Sequence, residues 1–294
     1  MVKILKDPGC AALVHGKLLT MPLSHGLPLY LSRYPLYDRL PGRLSSFLHE
    51  QYGPLVCVDV GANIGDSIAA FQQDPDDRFL AIEPNPHFLN YLKANHSSNP
   101  NVEIISCLCS STDGRSRIRV REQRGTASLI ADDSGHVMQS DTLDNLVVKT
   151  KQFSNVHLLK VDTDGHDFDV LAGARQMIAQ GLPAILFECD VFENLNYVKD
   201  CLATLSSFYE LGYRSCIVYD NVGNILGSHS LSDLSSFRNL LFCQLTKRFL
   251  YFDILVMRDP DLASFLETEY SFFVSQIPDQ RLRRIACMAA GIAS

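Results

Sequence analysis

The stretch Val56-Cys57-Val58-Asp59-Val60-Gly61-Ala62-Asn63-Ile64-Gly65-Asp66-Ser67 decides the fold. An apolar run rich in β-branched residues ends in an acid and a glycine turn, and a polar residue suited to a helix start follows. A short continuous apolar run bounded by turn residues reads as a strand buried on both faces. Gly61 and Gly65 lack a Cβ, so the backbone there can come close to a ligand. The stretch therefore reads as a buried parallel strand, a nucleotide-approaching loop and a helix N-terminus.

Working outward, strand and helix alternate. Strands are expected over 55–60, 78–83, 102–107, 156–161, 184–189, 215–219 and 251–257, and helices over 43–52, 66–73, 86–96, 166–180, 194–211 and 231–245. In the 166–180 segment, Phe168, Leu171, Ala174 and Ile178 recur at helical spacing and make one buried stripe. Such alternation implies a parallel sheet covered on both faces and joined by right-handed crossovers, which is a doubly wound α/β fold.

Three segments fall outside the rhythm. Residues 1–52 form an N-terminal extension whose centre, His25-Gly26-Leu27-Pro28-Leu29-Tyr30 with Arg33-Tyr34-Pro35-Leu36-Tyr37-Asp38, is too broken by proline for a long helix and too aromatic for a linker. It is either a strap over the core or a lid on a ligand pocket. Residues 110–145 read as an edge insertion with strands over 116–122, 126–130 and 137–140. There Arg117, Arg119 and Arg121 alternate against Ile118 and Val120, making either a solvated face or a patch for an acidic sugar or phosphate. Residues 259–294 are a helical tail, apolar at Leu262, Phe265, Leu266, Tyr270 and Phe273, which packs on the core or forms a homodimer seam. Residues 53–258 make up the main domain.

Composition narrows the class. With 294 residues, 46% of them hydrophobic, the chain can bury a large core. A formal net charge of -7 opposes a nucleic-acid binder, which needs a basic stripe. No apolar run approaches the roughly 20 residues of a membrane helix, and the Met1–Pro8 start lacks a signal-peptide core. The nine cysteines follow no framework spacing; Cys57, Cys189 and Cys216 sit in strand-like runs, and Cys107-x-Cys109 has no second pair at zinc spacing. A reducing, cytoplasmic setting without membrane or nucleic-acid partners is expected.

The glycine turn suits two cofactor classes. A dinucleotide site prefers Gly-x-Gly-x-x-Gly, because the middle glycine lets a pyrophosphate sit on the helix N-terminus. Here the middle glycine is absent, and Asp59 is an odd neighbour for a pyrophosphate. An acid there suits a ligand with a positive centre, such as the amino acid end of S-adenosylmethionine. Glu83 closes the second strand about twenty residues on, where a carboxylate accepts ribose hydroxyls. S-adenosylmethionine is favoured over NAD.

Asp59-Val60-Gly61-Ala62-Asn63-Ile64-Gly65, Ile82-Glu83-Pro84-Asn85-Pro86 and the stretch Leu159-Lys160-Val161-Asp162-Thr163-Asp164-Gly165-His166, continuing to Ala174, resemble the motifs of the FkbM family of class I methyltransferases. Thr142-Leu143-Asp144 and Phe187-Glu188 match further family positions; the resemblance is good over 55–190 and looser at Tyr251–Leu255. It implies a mostly parallel, seven-stranded Rossmann-like sheet and a methyltransferase domain over 53–258. It also implies S-adenosylmethionine-dependent O-methylation of a sugar, glycan or natural product, with Asp59, Gly61, Asn63, Gly65, Glu83, Asn85 and Asp162 at the cofactor. The chain departs from the family where many members carry Glu in place of Asp164, and in a long connection between the last two strands.

Methyl transfer is an in-line displacement, so positioning dominates, and a hydroxyl acceptor gains from a general base. Strands of an open parallel sheet deliver catalytic groups at their carboxyl ends. This makes Asp162, Asp164, His166 and Glu188 the catalytic candidates. His166 has the better intrinsic basicity but is also a plausible surface residue at a helix start. Asp164 can equally cap that helix, and Asp167 and Asp169 suit its dipole. Asp162-x-Asp164-x-His166 can also be read as a Mg²⁺ site, which the resembled family does not require; no metal is expected. Three other readings compete: an NAD-dependent oxidoreductase, a nucleic-acid methyltransferase, and a non-catalytic binding module.

Overall fold

The computed structural model describes residues 7–123, 126–131, 135–150, 152–247 and 249–292. The chain opens with a hairpin, β1 (Gly9–Val14) and β2 (Lys17–Pro22), then two helices, α1 (Leu27–Arg33) and α2 (Leu40–Tyr52). Both helices carry proline in the first turn, where a missing N–H leaves no bond unmade. The wound part follows as β3 (Val56–Val60), α3 (Asp66–Phe71), β4 (Arg78–Ile82), α4 (Pro86–His96) and β5 (Val102–Ile105). β6 (Leu108–Cys109), β7 (Gly114–Gln123), β8 (Thr126–Ala131) and β9 (His136–Asp141) form a separate four-stranded sheet, and α5 (Leu143–Thr150) leads back. Next come β10 (Leu158–Val161), α6 (Asp167–Ala172), α7 (Arg175–Gly181), β11 (Ala184–Cys189), α8 (Tyr197–Leu211) and β12 (Ser215–Asp220). The chain ends with β13 (Ile225–Ser230), α9 (Ser235–Thr246), β14 (Phe252–Val256), α10 (Asp259–Ser275) and α11 (Gln280–Ala290).

The main sheet has eight strands in the order β13-β12-β14-β11-β10-β3-β4-β5. β11, β10, β3, β4 and β5 are mutually parallel, and β14 runs antiparallel between β11 and β12. The seven expected strands are all present, in the mostly parallel class I arrangement. The eighth, β13, pairs with β12 through a turn in which the Asp220 carboxylate accepts the Val222 and Asn224 amides. Its sequence, Ile-Leu-Gly-Ser-His-Ser, is too polar to announce a strand, and it explains the length of the last connection.

The expected 166–180 helix is broken in two. A Cβ on Gly173 would lie 2.1 Å from the Ser110 carbonyl oxygen, so the root of the insertion presses on the helix there. The break leaves the first amides of α7 open, and Asp144 of α5 accepts from Gln176 and Met177 N–H at 2.9 and 2.8 Å. The three strands expected in the insertion are present as β7, β8 and β9. Arg117 is exposed, while the side chains of Arg119 and Arg121 lie outside the described residues.

Successive strand residues point to opposite faces. Val58, Val60, Leu159, Val161 and Phe187 meet the α6–α8 side, including Val170, Ile178 and Phe208. Cys57, Leu158, Leu186 and Leu255 meet the α2, α3 and α10 side, including Leu44, Ile68 and Phe265. The α10 segment of the tail thus packs on the core. Its Glu269, fully buried, accepts from Arg43 Nε and Nη2 at 2.6 and 2.8 Å and from the Tyr219 hydroxyl at 2.9 Å. Among the described residues no helix is long and apolar enough to cross a membrane.

Removing one partner of a buried pair leaves the other charge uncompensated. Arg43→Met is therefore expected to lower unfolding free energy by about 3–5 kcal/mol in urea titration. Adding Glu269→Leu to it should restore part of the loss; a single-variant cost below about 1 kcal/mol would place the pair among ordinary surface bridges.

Candidate active site

β3 ends in a turn at Gly61, with φ at +84°. The space a Cβ would need there is taken by the chain itself, because it would lie 1.8 Å from the Asp162 carbonyl oxygen at the exit of β10. At Gly65, φ +87°, a Cβ would lie 2.3 Å from the His96 ring, whose Nε2 meets the Gly65 carbonyl at 2.9 Å. Both glycines are required by close approach within the chain itself, and Gly61 also lines the cavity described below. The loop between them is tied down by the next strand. Gly61 and Ala62 N–H donate to the Ile82 carbonyl at 2.9 and 3.1 Å. Glu83 Oε2 accepts Asn63 N–H at 2.8 Å and its Oε1 accepts Asn85 N–H at 2.7 Å. Asn85 Oδ1 in turn accepts His87 N–H at 2.8 Å, which caps α4.

A cavity of 340 Å³ opens at the carboxyl ends of these strands, where open parallel sheets hold ligands. Gly61, Asn63 and Glu83 line one side with Phe88 and Cys107 to Cys109. Asp162, Asp164 and His166 line the β10 side, and Glu188, Asp190 and Tyr251 continue around it. The N-terminal segment closes the rim with His25, Tyr30, Tyr37 and Asp38. The same segment also packs on the domain, with Val14, Leu19, Met21 and Leu27 against Ile64, Ala69 and Phe88. An adjoining cavity of 80 Å³ shares Tyr37, Asp38, Lys160, Asp162, Glu188 and Tyr251 and adds Asp253.

Residues 59–215 match the methyltransferase FkbM domain. The chain belongs to that family. Among solved structures, the methyltransferase FkbM from Methylobacillus flagellatus KT aligns at 16% identity with a TM-score of 0.41, over 65% of this chain and 55% of that one. The alignment thus spans about half the length of that protein. An O-methyltransferase from Bacillus cereus in complex with SAH aligns at 13% identity and TM-score 0.40, over 79% of this chain and 88% of that one. TYW2 of M. jannaschii in complex with AdoMet aligns at 10% identity and TM-score 0.37, over 85% of each. No curated protein matches the chain significantly.

In this FkbM-family site the expected residues divide. Glu83, Gly61, Asn63, Asp162, Asp164, His166 and Glu188 reach the cavity; Asp59, Gly65 and Asn85 do not. Asp59 is fully buried, with no hydrogen-bond partner for either carboxylate oxygen, and Lys160 Nζ stands 3.8 Å from its Oδ1. In register Asp59 lies opposite Lys160, so the lysine, reaching the cavity, takes the place expected of the acid. Lys160 Nζ also donates to Asp162 Oδ2 at 2.9 Å. The loop after β10 is held by Asp167, whose carboxylate accepts Thr163 and Gly165 N–H at 3.2 and 3.3 Å. Asp169 accepts the Ser110 hydroxyl at 2.6 Å. Both acids, expected to suit the helix dipole, also hold neighbouring chain in place. Among the described residues no group of three or more His, Cys, Asp or Glu is arranged to hold a metal ion.

Lys160, Asp66 and Asp253 were not among the site residues expected from sequence, and the Tyr37-Asp38 corner was expected only as part of a strap or lid. Lys160 stood inside the quoted motif, and an ionisable residue in an otherwise apolar strand was a signal available without the fold. The corner and Asp253 come from segments too distant in sequence for spacing to join them.

Burial dominates the electrostatics. It pushes Glu83 up to about 7 against its two backbone donors, and Asp59 up to about 6 against Lys160. Asp253 rises to about 8, again from burial first and then the neighbouring Asp162. Asp66, Asp167 and Glu188 shift the same way for the same leading cause. Burial pulls Lys160 down, but Asp162 and Asp59 outweigh it and hold its ammonium well above the usual lysine range. Unfolded carboxyls titrate near about 4, so between there and the folded values the native chain holds more protons than the unfolded one. Stability is then full at low pH and lost as pH rises through 6 to 8. Thermal melts of the ligand-free protein are expected to fall by several degrees from pH 5 to pH 8; a midpoint that rises over this window would show these acids already ionised.

Proposed function

We propose that the chain is an S-adenosylmethionine-dependent O-methyltransferase acting on a sugar, glycan or natural-product hydroxyl. The observation that carries the reading is Glu83. Its carboxylate lines the cavity at the tip of the second wound strand, with each oxygen holding one loop amide. A carboxylate oxygen has a further lone pair, so Glu83 can also accept ribose hydroxyls. The donor set fits the cofactor's charge: seven carboxylates and one lysine line the cavity among the described residues, a field that favours a cation. When bound, S-adenosylmethionine supplies a methyl group on a positively charged sulfur.

The chain's own groups then position the acceptor. Lys160 fixes the Asp162 carboxylate at the cavity wall, where it orients the acceptor hydroxyl. His166, at the start of α6 on the same wall, takes the hydroxyl proton as it is lost. The strap residues Tyr30 and Tyr37 exclude water from the rim.

The same loop disfavours a dinucleotide. A pyrophosphate needs free amides at the turn. Here Gly61 and Ala62 N–H are committed to Ile82 and Asn63 N–H to Glu83. A non-catalytic binding module would hold the cofactor without turnover.

Calorimetry is expected to register S-adenosylmethionine and no NAD. Glu83→Gln should weaken the cofactor by about tenfold or more, the scale of hydrogen bonds to a charged acceptor. Asp59→Ala, beyond the cavity wall, should cost less affinity than Glu83→Gln. Asp162→Asn should lower turnover more than cofactor affinity in an S-adenosylhomocysteine release assay. NAD binding with no S-adenosylmethionine heat would reverse the assignment.

A further inference from the structure

Glu188 and Asp253 lie directly opposite each other in the antiparallel β11–β14 register, with side chains on one face of the sheet. Like charges facing across a strand pair are destabilising, and burying them without partners is costlier still. Glu188 is 9% exposed, lines both cavities, and its Oε2 has no hydrogen-bond partner. Asp253 lines the smaller cavity below it. Lys160 is the only lysine or arginine among the described residues lining either cavity, and it is engaged by Asp162 at 2.9 Å and by Asp59 at 3.8 Å. Among the described residues lining the cavities, the facing pair therefore has no cation of its own.

The smaller cavity, 80 Å³, adjoins the larger one through the residues they share, Tyr37 and Tyr251 among them. At 80 Å³ against 340 Å³ it is a side recess of the larger cavity, suited to a substituent of the acceptor. Acids and tyrosine rings together suit an ammonium, since a ring face attracts a cation as a carboxylate does. An anionic acceptor would be repelled, and an apolar one would leave the acids desolvated.

We propose that the methyl acceptor carries a cationic nitrogen, as an amino sugar or amino alcohol does, and that its ammonium is seated between Glu188 and Asp253 beside Tyr37 and Tyr251. The assignment rests on the proposed methyltransferase function and adds to it the charge of the acceptor. The ionisation of the pair supports the geometry. Around Glu188 stand Asp162, Asp164, Asp167 and Asp253; around Asp253 stand Asp162, Asp38, Asp220 and the one opposing charge, Lys160. Burial leads in both cases and raises both carboxyls, a shift that an arriving ammonium opposes.

The test uses full-length protein saturated with S-adenosylhomocysteine and matched probes: glucosamine against N-acetylglucosamine and glucose, and serinol against glycerol. Calorimetry is expected to show each free amine binding at least about tenfold tighter than its neutral partners, the scale of a charge-assisted contact. Heats should differ between buffers of unlike ionisation enthalpy by an amount that reports proton release. Asp253→Asn, which keeps the shape, should abolish most of the amine preference while S-adenosylhomocysteine affinity holds. The proposal is overturned if neutral probes bind as tightly as amines, if no amine binds the loaded protein, or if Asp253→Asn leaves the preference intact. Wild-type protein that fails to bind S-adenosylhomocysteine refutes the methyltransferase reading itself, a result distinct from these.

Discussion

A single ammonium holds the centre of this molecule. Lys160 projects from the middle of the sheet between Asp59 on one neighbouring strand and Asp162 at its own strand's exit. Without it, Asp59 would be a carboxylate with no partner of any kind, since both its oxygens lack hydrogen bonds and the residue is fully buried. Buried charges persist in proteins when paired, and here one cation serves two acids at unequal distances. The nearer contact aims Asp162 at the cavity, and the farther one makes the interior acid tolerable. The Leu159-Lys160-Val161-Asp162 motif is thereby a unit of electrostatics as well as of chain direction.

The glycine turn depends on the same crossing. β3 and β10 run side by side and leave the sheet together, and the Asp162 carbonyl passes where a Gly61 side chain would start. The tight turn thus registers two adjacent loops against each other, and both loops line the cavity. Glu83 performs the equivalent task toward the other neighbour, gathering one amide from its own loop and one from the loop beside it. Three successive strand exits are fastened into one rigid floor before any ligand is considered.

These relations explain which parts of the chain could be read from the sequence. β3 was legible because a β-branched run, an acid and a glycine turn are local signals, and the alternation that followed placed Glu83, Asp162, Asp164, His166 and Glu188 at strand ends without a fold. β13 was not legible, since its burial alternates against a polar sequence and its ladder is made with β12, a partner joined by a turn. Nor was the break at Gly173, which arises from the Ser110 carbonyl more than sixty residues earlier. The seat of Asp59 short of the cavity was not legible either, since it depends on Lys160 standing beside it in register on a strand about one hundred residues later.

The N-terminal strap owes its position to the opposite end of the chain. Tyr37 and Asp38 reach the cavity just before α2 begins, and α2 is anchored to α10 through the bidentate Arg43–Glu269 pair. Tyr219 of β12 adds a third bond to the same carboxylate, and the Arg43 guanidinium lies 4.2 Å from the Phe272 ring centroid. One buried acid therefore ties the rim's root to both the tail and the sheet. His15 reinforces the corner from the hairpin side, meeting Asp38 at 2.7 Å. The strap is thereby fastened at the cavity rim from the hairpin and from the tail, and His25 joins it to the loop after β3, its Nε2 meeting Asn63 Oδ1 at 3.4 Å. Strap, hairpin and strand exits therefore shape one cavity together, with His25, Tyr37 and Asp38 facing the same space as Glu83 and Asp162.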